Sequence, residues 1–166
     1  MGRAGGRELA VHIEVTHPRE AAARHCLQAY FTELGRRFEA GFDPALSIPA
    51  DDADLTPPAG LLLVATVAGS PAGCGALKFH PDDDIAEVKR MWVSPAVRGL
   101  GLGRQLLAEL ETEAAGHGAG RLRLETNRNL PEAIALYRAA GYREVPAFND
   151  EAYAHHWFEK ELPDRR

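Results

Sequence analysis

Val97-Arg98-Gly99-Leu100-Gly101-Leu102-Gly103-Arg104 joins a strand-like run, Ile85–Val93, to a helical one, Leu100–Ala115. In the second run Leu102, Leu106, Leu107 and Leu110 recur at three-to-four spacing, which marks the buried face of a helix. Glycines alternate at 99, 101 and 103, where that helix begins. A glycine has no Cβ and lets the backbone come close to a ligand. The first N–H groups of a helix lack internal acceptors and, with the helix dipole, form an anion site. Arg98 and Arg104 add positive charge at its rim. A diphosphate suits these features. A magnesium-nucleotide loop would end in Gly-Lys-Ser/Thr, whereas this one ends in Gly103-Arg104-Gln105, with no hydroxyl placed for a metal. A dinucleotide fingerprint counted from Gly101 needs a third glycine where Leu106 stands, although Glu125 ends the next strand at a suggestive distance.

Working outward, Leu61–Ala68 is a dense apolar run and reads as a central strand. Gly69-Ser70-Pro71 turns the chain into a return strand, Ala72–His80, and Pro81-Asp82-Asp83-Asp84 turns it again. Further upstream, Val11, Ile13 and Val15 alternate with polar residues within Arg7–Thr16, a strand signal. Pro18 opens a helix over Arg19–Phe38, with Leu27, Tyr30, Phe31, Leu34 and Phe38 on its apolar side. Residues 41–60 are rich in Pro, Asp and Ala and read mostly as loop. Downstream come a strand at Arg121–Thr126, a helix at Leu130–Ala140 closed by Gly141, and two strands at Tyr142–Val145 and Tyr153–Leu162. The order predicts one domain over residues 1–166, of the α+β (mixed α/β) class: a central mixed, mostly antiparallel sheet of about six to seven strands flanked by helices.

Composition narrows the partners. Nineteen basic residues face twenty-four acidic ones, for a net charge of −5, and no basic run offsets it. That argues against nucleic acid. No segment approaches the roughly 20 apolar residues of a membrane span. Cys26 and Cys74 show neither metal spacing nor a disulfide framework, so a cytoplasmic protein is expected. Residues 1–6 carry a charge with no apolar region behind it and are expected to be poorly ordered. Adjacent His155 and His156 would point to opposite faces of a strand, and no helix carries paired histidines, so no metal is expected.

Arg98-Gly99-Leu100-Gly101-Leu102-Gly103 resembles the Arg/Gln-x-x-Gly-x-Gly/Ala signature of the GNAT superfamily of acyl-CoA N-acyltransferases. Leu136-Tyr137-Arg138-Ala139-Ala140-Gly141-Tyr142 resembles that family's Leu-Tyr-x-x-x-Gly-Phe/Tyr segment, at the family's usual separation. The resemblance in element order covers roughly Leu61–Leu162, which it implies is the acetyl-CoA-binding core. Residues 7–60 resemble the family only in layout and would form the acceptor side.

The resemblance implies transfer of an acetyl group from acetyl-CoA to a primary amine, by direct attack in a ternary complex. The acceptor would be a small molecule or a peptide. The strand before the loop would splay from its neighbour and pair with the pantetheine arm through Met91, Trp92 and Val93, with the Met91 N–H at the thioester oxygen. Gly99, Leu100, Gly101, Leu102, Gly103 and Arg104 would cradle the pyrophosphate beside Arg98. Glu87 occupies the position of a general base, and strand parity expects it on one face with Met91 and Val93. Tyr137 would face the sulfur and protonate the departing thiolate. Relatives often carry Asn seven residues before this tyrosine, where this chain has Leu130. Asn129 is one residue early and forms a capping-box pattern with Glu132, so it is expected to cap the helix, touch CoA, or both.

Tyr30, Phe31, Phe38 and Phe42 read as core or as acceptor pocket, with Phe42 the strongest pocket candidate because it lies in a loop. Tyr153, His155 and Trp157 alternate on the last strand and could line the acceptor site or a homodimer contact. A non-catalytic acyl-CoA-binding sensor or regulatory module is the rival reading. It would keep the loop without the chemistry.

Overall fold

In the computed structural model, which describes residues 10–163, every expected element forms and its bounds shift by a few residues. Residues 1–6, expected to be poorly ordered, and the start of the first strand lie outside the described residues. The strands are β1 (Val11–Val15), β2 (Gly60–Val67), β3 (Ser70–His80), β4 (Ile85–Val93), β5 (Arg121–Thr126), β6 (Arg143–Val145) and β7 (His156–Glu161). The helices are α1 (Ala21–Arg37), α2 (Leu102–Gly116) and α3 (Pro131–Ala139). One seven-stranded sheet runs in the order β1-β2-β3-β4-β5-β7-β6, antiparallel except between β4 and β5.

The run of apolar residues in β2 follows from burial on both faces. Leu61, Leu63 and Ala65 join the cluster under α2 and α3, while Leu62 and Val64 join the cluster under α1. The α2 leucines at 102, 106, 107 and 110 are all buried, as their spacing predicts. In α1 the most buried positions are Ala23, Cys26 and Leu34, so small residues bring this helix down onto the sheet. Leu27 and Tyr30 only flank that contact. Gly141 closes α3 in the left-handed region (φ +91°), and the Tyr142 N–H returns to the Tyr137 carbonyl at 3.0 Å.

Two irregularities shape the sheet's centre. β4 pairs with β5 only where Ile85, Ala86 and Glu87 meet Arg121, Leu122 and Arg123. Beyond Glu87 the strands part. In the same half of β4, Ala76 lies opposite Lys89 and Cys74 opposite Trp92, so β4 spends three steps where β3 spends two. Arg90 sits in the left-handed region (φ +56°) and accommodates this bulge. One extra residue reverses side-chain parity downstream. Glu87, Met91 and Val93 therefore do not share a face, which corrects the expectation from simple alternation. Met91 and Val93 pack with Ala86 and Val88 in the cluster under α2 and α3. Glu87 and Lys89 face the other side.

Candidate active site

Two cavities open where β4 and β5 part. The first, about 280 Å³, is lined by Met91, Trp92 and Val93, the loop glycines 99, 101 and 103, both loop arginines, and Glu33 and Arg37 of α1. Its floor follows from the backbone. Gly99 and Gly101 sit at φ +83° and +82°, and a Cβ built on either would meet nothing within 4 Å. Glycine is needed there for its backbone freedom, and the space it leaves lies beside the start of α2. Gly103 differs: a Cβ there would press on Leu136 at 3.3 Å. Arg98 donates to the Val93 carbonyl at 3.0 Å and pairs with Glu33. Arg37 pairs with Glu132 of α3, so α1 is tied across the cleft at two points. Leu100 is 57 % exposed and does not line the cleft.

The second cavity, about 100 Å³, lies on the α1 side of the same opening. Phe38, Phe42 and Tyr153 form one wall, with ring centroids 4.7 to 6.0 Å apart. Lys89, Arg90, Glu125 and Glu151 are its charged lining. Glu151 is already engaged, by the Ser47 hydroxyl and the Ile48 N–H. Tyr153 comes to the cavity from the segment before β7, and its hydroxyl accepts the Asp43 N–H at 2.8 Å. His155 and Trp157 turn elsewhere: His155 accepts the Arg128 N–H, and the Trp157 indole donates to Asn149.

Tyr137 lines both cavities. It is 5 % exposed and packs edge-on against Tyr142. Burial, reinforced by Tyr30 and Glu125, raises its hydroxyl well above the usual tyrosine range, so the hydroxyl keeps its proton. Tyr30, from α1, lines both cavities as well, and burial raises its hydroxyl too.

The carboxylates divide into two kinds. Glu87 lines neither cavity. One of its oxygens accepts Arg123 at 2.8 and 3.2 Å, and the other meets the Lys89 ammonium at 3.1 Å. The His80 ring nitrogen lies 2.8 Å from Glu87 but is not aligned for a hydrogen bond. Burial works to raise the Glu87 carboxyl, but Lys89 and Arg123 together outweigh it and hold it below the usual carboxylate range. Glu125 lines the second cavity with its side chain 9 % exposed. Its Oε1 accepts Lys89 at 2.7 Å, and its Oε2 is buried with no partner among the described residues. Burial pushes the Lys89 ammonium down, while Glu125 and then Glu87 overcome this and hold it above its usual range.

Asn129 lines neither cavity, and α3 begins without a side-chain cap. The expected capping box is therefore corrected. Pro131 opens the helix, Leu130 takes the cap position, and Glu132 is drawn off to Arg37. The asparagine of this turn that reaches the second cavity is Asn127. It is buried, accepts the Asn129 N–H at 2.8 Å, and donates to the Tyr153 carbonyl at 2.7 Å, which fixes the far wall of the second cavity. Glu125, Lys89 and Arg90 also enter the site only through the structure. Among the described residues no group of His, Cys, Asp and Glu could hold a metal, and no helix is long and apolar enough to cross a membrane.

The mixed sheet parts beside a glycine-rich helix start, with a buried tyrosine at the gap. Residues 16–142 match the Acetyltransferase (GNAT) family, and the chain belongs to it. An IAA acetyltransferase from Azospirillum brasilense is 35 % identical over 134 residues, covering 81 % of this chain and 88 % of that protein. Among solved structures, a GNAT-family acetyltransferase from Staphylococcus aureus shares the fold with a TM-score of 0.76 at 16 % identity, over 93 % of this chain and all of the other. The ribosomal-protein-S18-alanine N-acetyltransferase from Escherichia coli does so with a TM-score of 0.60 at 23 % identity, over 92 % and 93 % of the two chains.

Proposed function

We propose that this acetyltransferase moves the acetyl group of acetyl-CoA onto a primary amine by direct attack in a ternary complex. The observation that carries this reading is Glu125, whose buried Oε2 has no partner among the described residues, in the lining of a cavity that shares Tyr137 with the glycine-loop cleft. The cleft suits the diphosphate end of the co-substrate: open space above Gly99 and Gly101, the start of α2, and Arg98 and Arg104 at the rim. The thioester supplies the activated acetyl group.

The residues then divide the proton work. An alkyl ammonium with pKa near 10.4 is almost entirely charged at neutral pH, so a proton acceptor accelerates attack by about 10²–10⁴. Glu125 is assigned that role, through its free oxygen, directly or through one water. Lys89 holds the other oxygen and keeps the carboxylate aimed. Glu87, saturated by Lys89 and Arg123, positions Lys89 instead of acting as the base. As the amine nitrogen bonds to the carbonyl carbon, charge gathers on the acyl oxygen. The Met91 N–H, beside the bulge with no β3 residue registered opposite, is assigned to that oxygen. When the carbon–sulfur bond breaks, Tyr137 donates its proton to the thiolate. Neither cysteine lines the two cavities, in keeping with the absence of an acetyl-cysteine step.

Thiol release from acetyl-CoA, measured across a panel of primary amines, tests the reading. Stimulation by at least one amine class is expected, with acetyl-amide as product. Tight CoA binding with no amine-stimulated release would overturn it in favour of a binding module.

A further inference from the structure

The amine cavity contains an imbalance. Of its lining charges, Lys89 is matched by Glu87 and Glu125, and Glu151 is matched by Ser47 and the Ile48 N–H. Arg90 has no carboxylate within ion-pair distance among the described residues. Among the described residues its guanidinium makes one hydrogen bond, a long one, 3.4 Å from Nη2 to the Ala50 carbonyl. The guanidinium lies over the Phe31 ring at 4.9 Å and near the Tyr30 ring at 5.9 Å. The rings take up the cation–π side of the guanidinium, and only Nη2 is engaged, so N–H groups remain for a carboxylate, which a guanidinium can receive with two parallel bonds.

The backbone supports the same conclusion. Arg90 is the bulged residue of β4, held at φ +56°, where a side chain is rarely placed without compensation. The bulge re-aims this one side chain out of the alternation and into the cavity lining. The Cys74 thiol donates to the Arg90 carbonyl at 3.1 Å and helps hold the turn.

We infer that Arg90 selects the acceptor: the amine is borne by a small amino carboxylate whose carboxylate pairs with the Arg90 fork and whose apolar body lies against Phe38, Phe42 and Tyr153. This rests on the transferase reading above and narrows it. It places amino acids ahead of polyamines and polycationic amines, whose second positive charge would meet Arg90. The chain's net charge of −5 suggests the opposite preference, but the local charge beside the reacting amine decides.

The test uses matched acceptor pairs at saturating acetyl-CoA: phenylalanine with phenethylamine, leucine with isoamylamine, lysine with cadaverine. Within at least one pair the amino acid is expected to exceed its decarboxylated partner in kcat/KM by about 10- to 100-fold, the value of a charge-assisted hydrogen bond, mostly through KM. In Arg90→Gln that ratio should fall towards one, and Arg90→Lys should restore part of it. Circular dichroism separates misfolding from lost selection, and the wild-type ratios stand without any variant. Equal kcat/KM within every active pair, or a ratio unchanged in a folded R90Q, overturns the inference and leaves the transferase reading intact. Silence from every amine overturns both.

Discussion

The paired end of β4 and its parted end use the same residue types to opposite effect. At the paired end, Glu87 sits where β4 still bonds to β5, and cations engage both of its oxygens. At the parted end, among the described residues, Glu125 keeps one oxygen without a partner and Arg90 has no acidic partner. A sheet that closes can satisfy its charges with cross-strand neighbours. A sheet that opens leaves them for something else. A buried carboxylate oxygen without a partner is costly, so Glu125, which lines the cavity at the gap, points to a site that a ligand completes.

The contrast can be broken by experiment. Glu125→Gln should lower kcat by about 10²–10⁴, with the deficit shrinking as pH rises and more free amine becomes available. A turnover close to wild type would erase the functional difference between the two ends. Tyr137→Phe should lower kcat by roughly 10² with little change in acetyl-CoA affinity, since the hydroxyl acts only when sulfur departs. An equal turnover would mean the thiolate leaves unaided. Gly101→Val should weaken acetyl-CoA binding by about 10- to 100-fold, measured by calorimetry, because it both strains φ +82° and fills the space beside the helix start. Unchanged affinity would remove the loop from the parted end's function.

Glu87→Gln should act chiefly on stability. Leaving Lys89 and Arg123 short of a buried partner costs on the order of 3 kcal/mol, with kcat changed by less than about tenfold. The pH dependence sharpens this. The folded Glu87 carboxyl lies below its ordinary value of 4.5, so its stabilisation is fully present above that pH and is lost as pH falls through the folded value. The thermal midpoint of the wild type should therefore decline more steeply below pH 4.5 than that of E87Q. Parallel curves would show that Glu87 contributes nothing to acid stability.

Much of this was legible from short-range chemistry. The leucine spacing of α2, the two-faced apolar run of β2 and the closing Gly141 each depend on residues within a turn or a strand of one another. The loop's backbone was legible for the same reason: glycines before a helix allow positive φ and leave open space, as Gly99 and Gly101 do. Three expectations failed where distant contacts intervened. The shared face of Glu87, Met91 and Val93 assumed unbroken alternation, and the bulge falls on Arg90, not on a glycine that would announce it. The Asn129–Glu132 capping box lost to Pro131 and to an ion pair with Arg37. The last strand was expected from Tyr153, but pairing begins at His156 and frees Tyr153 for the cavity wall.

By itself the sequence determined the order of elements, the glycine-rich helix start and the tyrosine-bearing helix, because helix periodicity, strand alternation and glycine's backbone freedom act over a few residues. Only the tertiary structure decided which carboxylate faces the gap and which cation goes unmatched. Lys89 meets Glu125 across 36 residues of chain, and Arg90 is freed by a local break in strand register. Charge matching at such distances is settled when the strands and helices pack, since a carboxylate in one dimension carries no record of the ammonium it will meet in three.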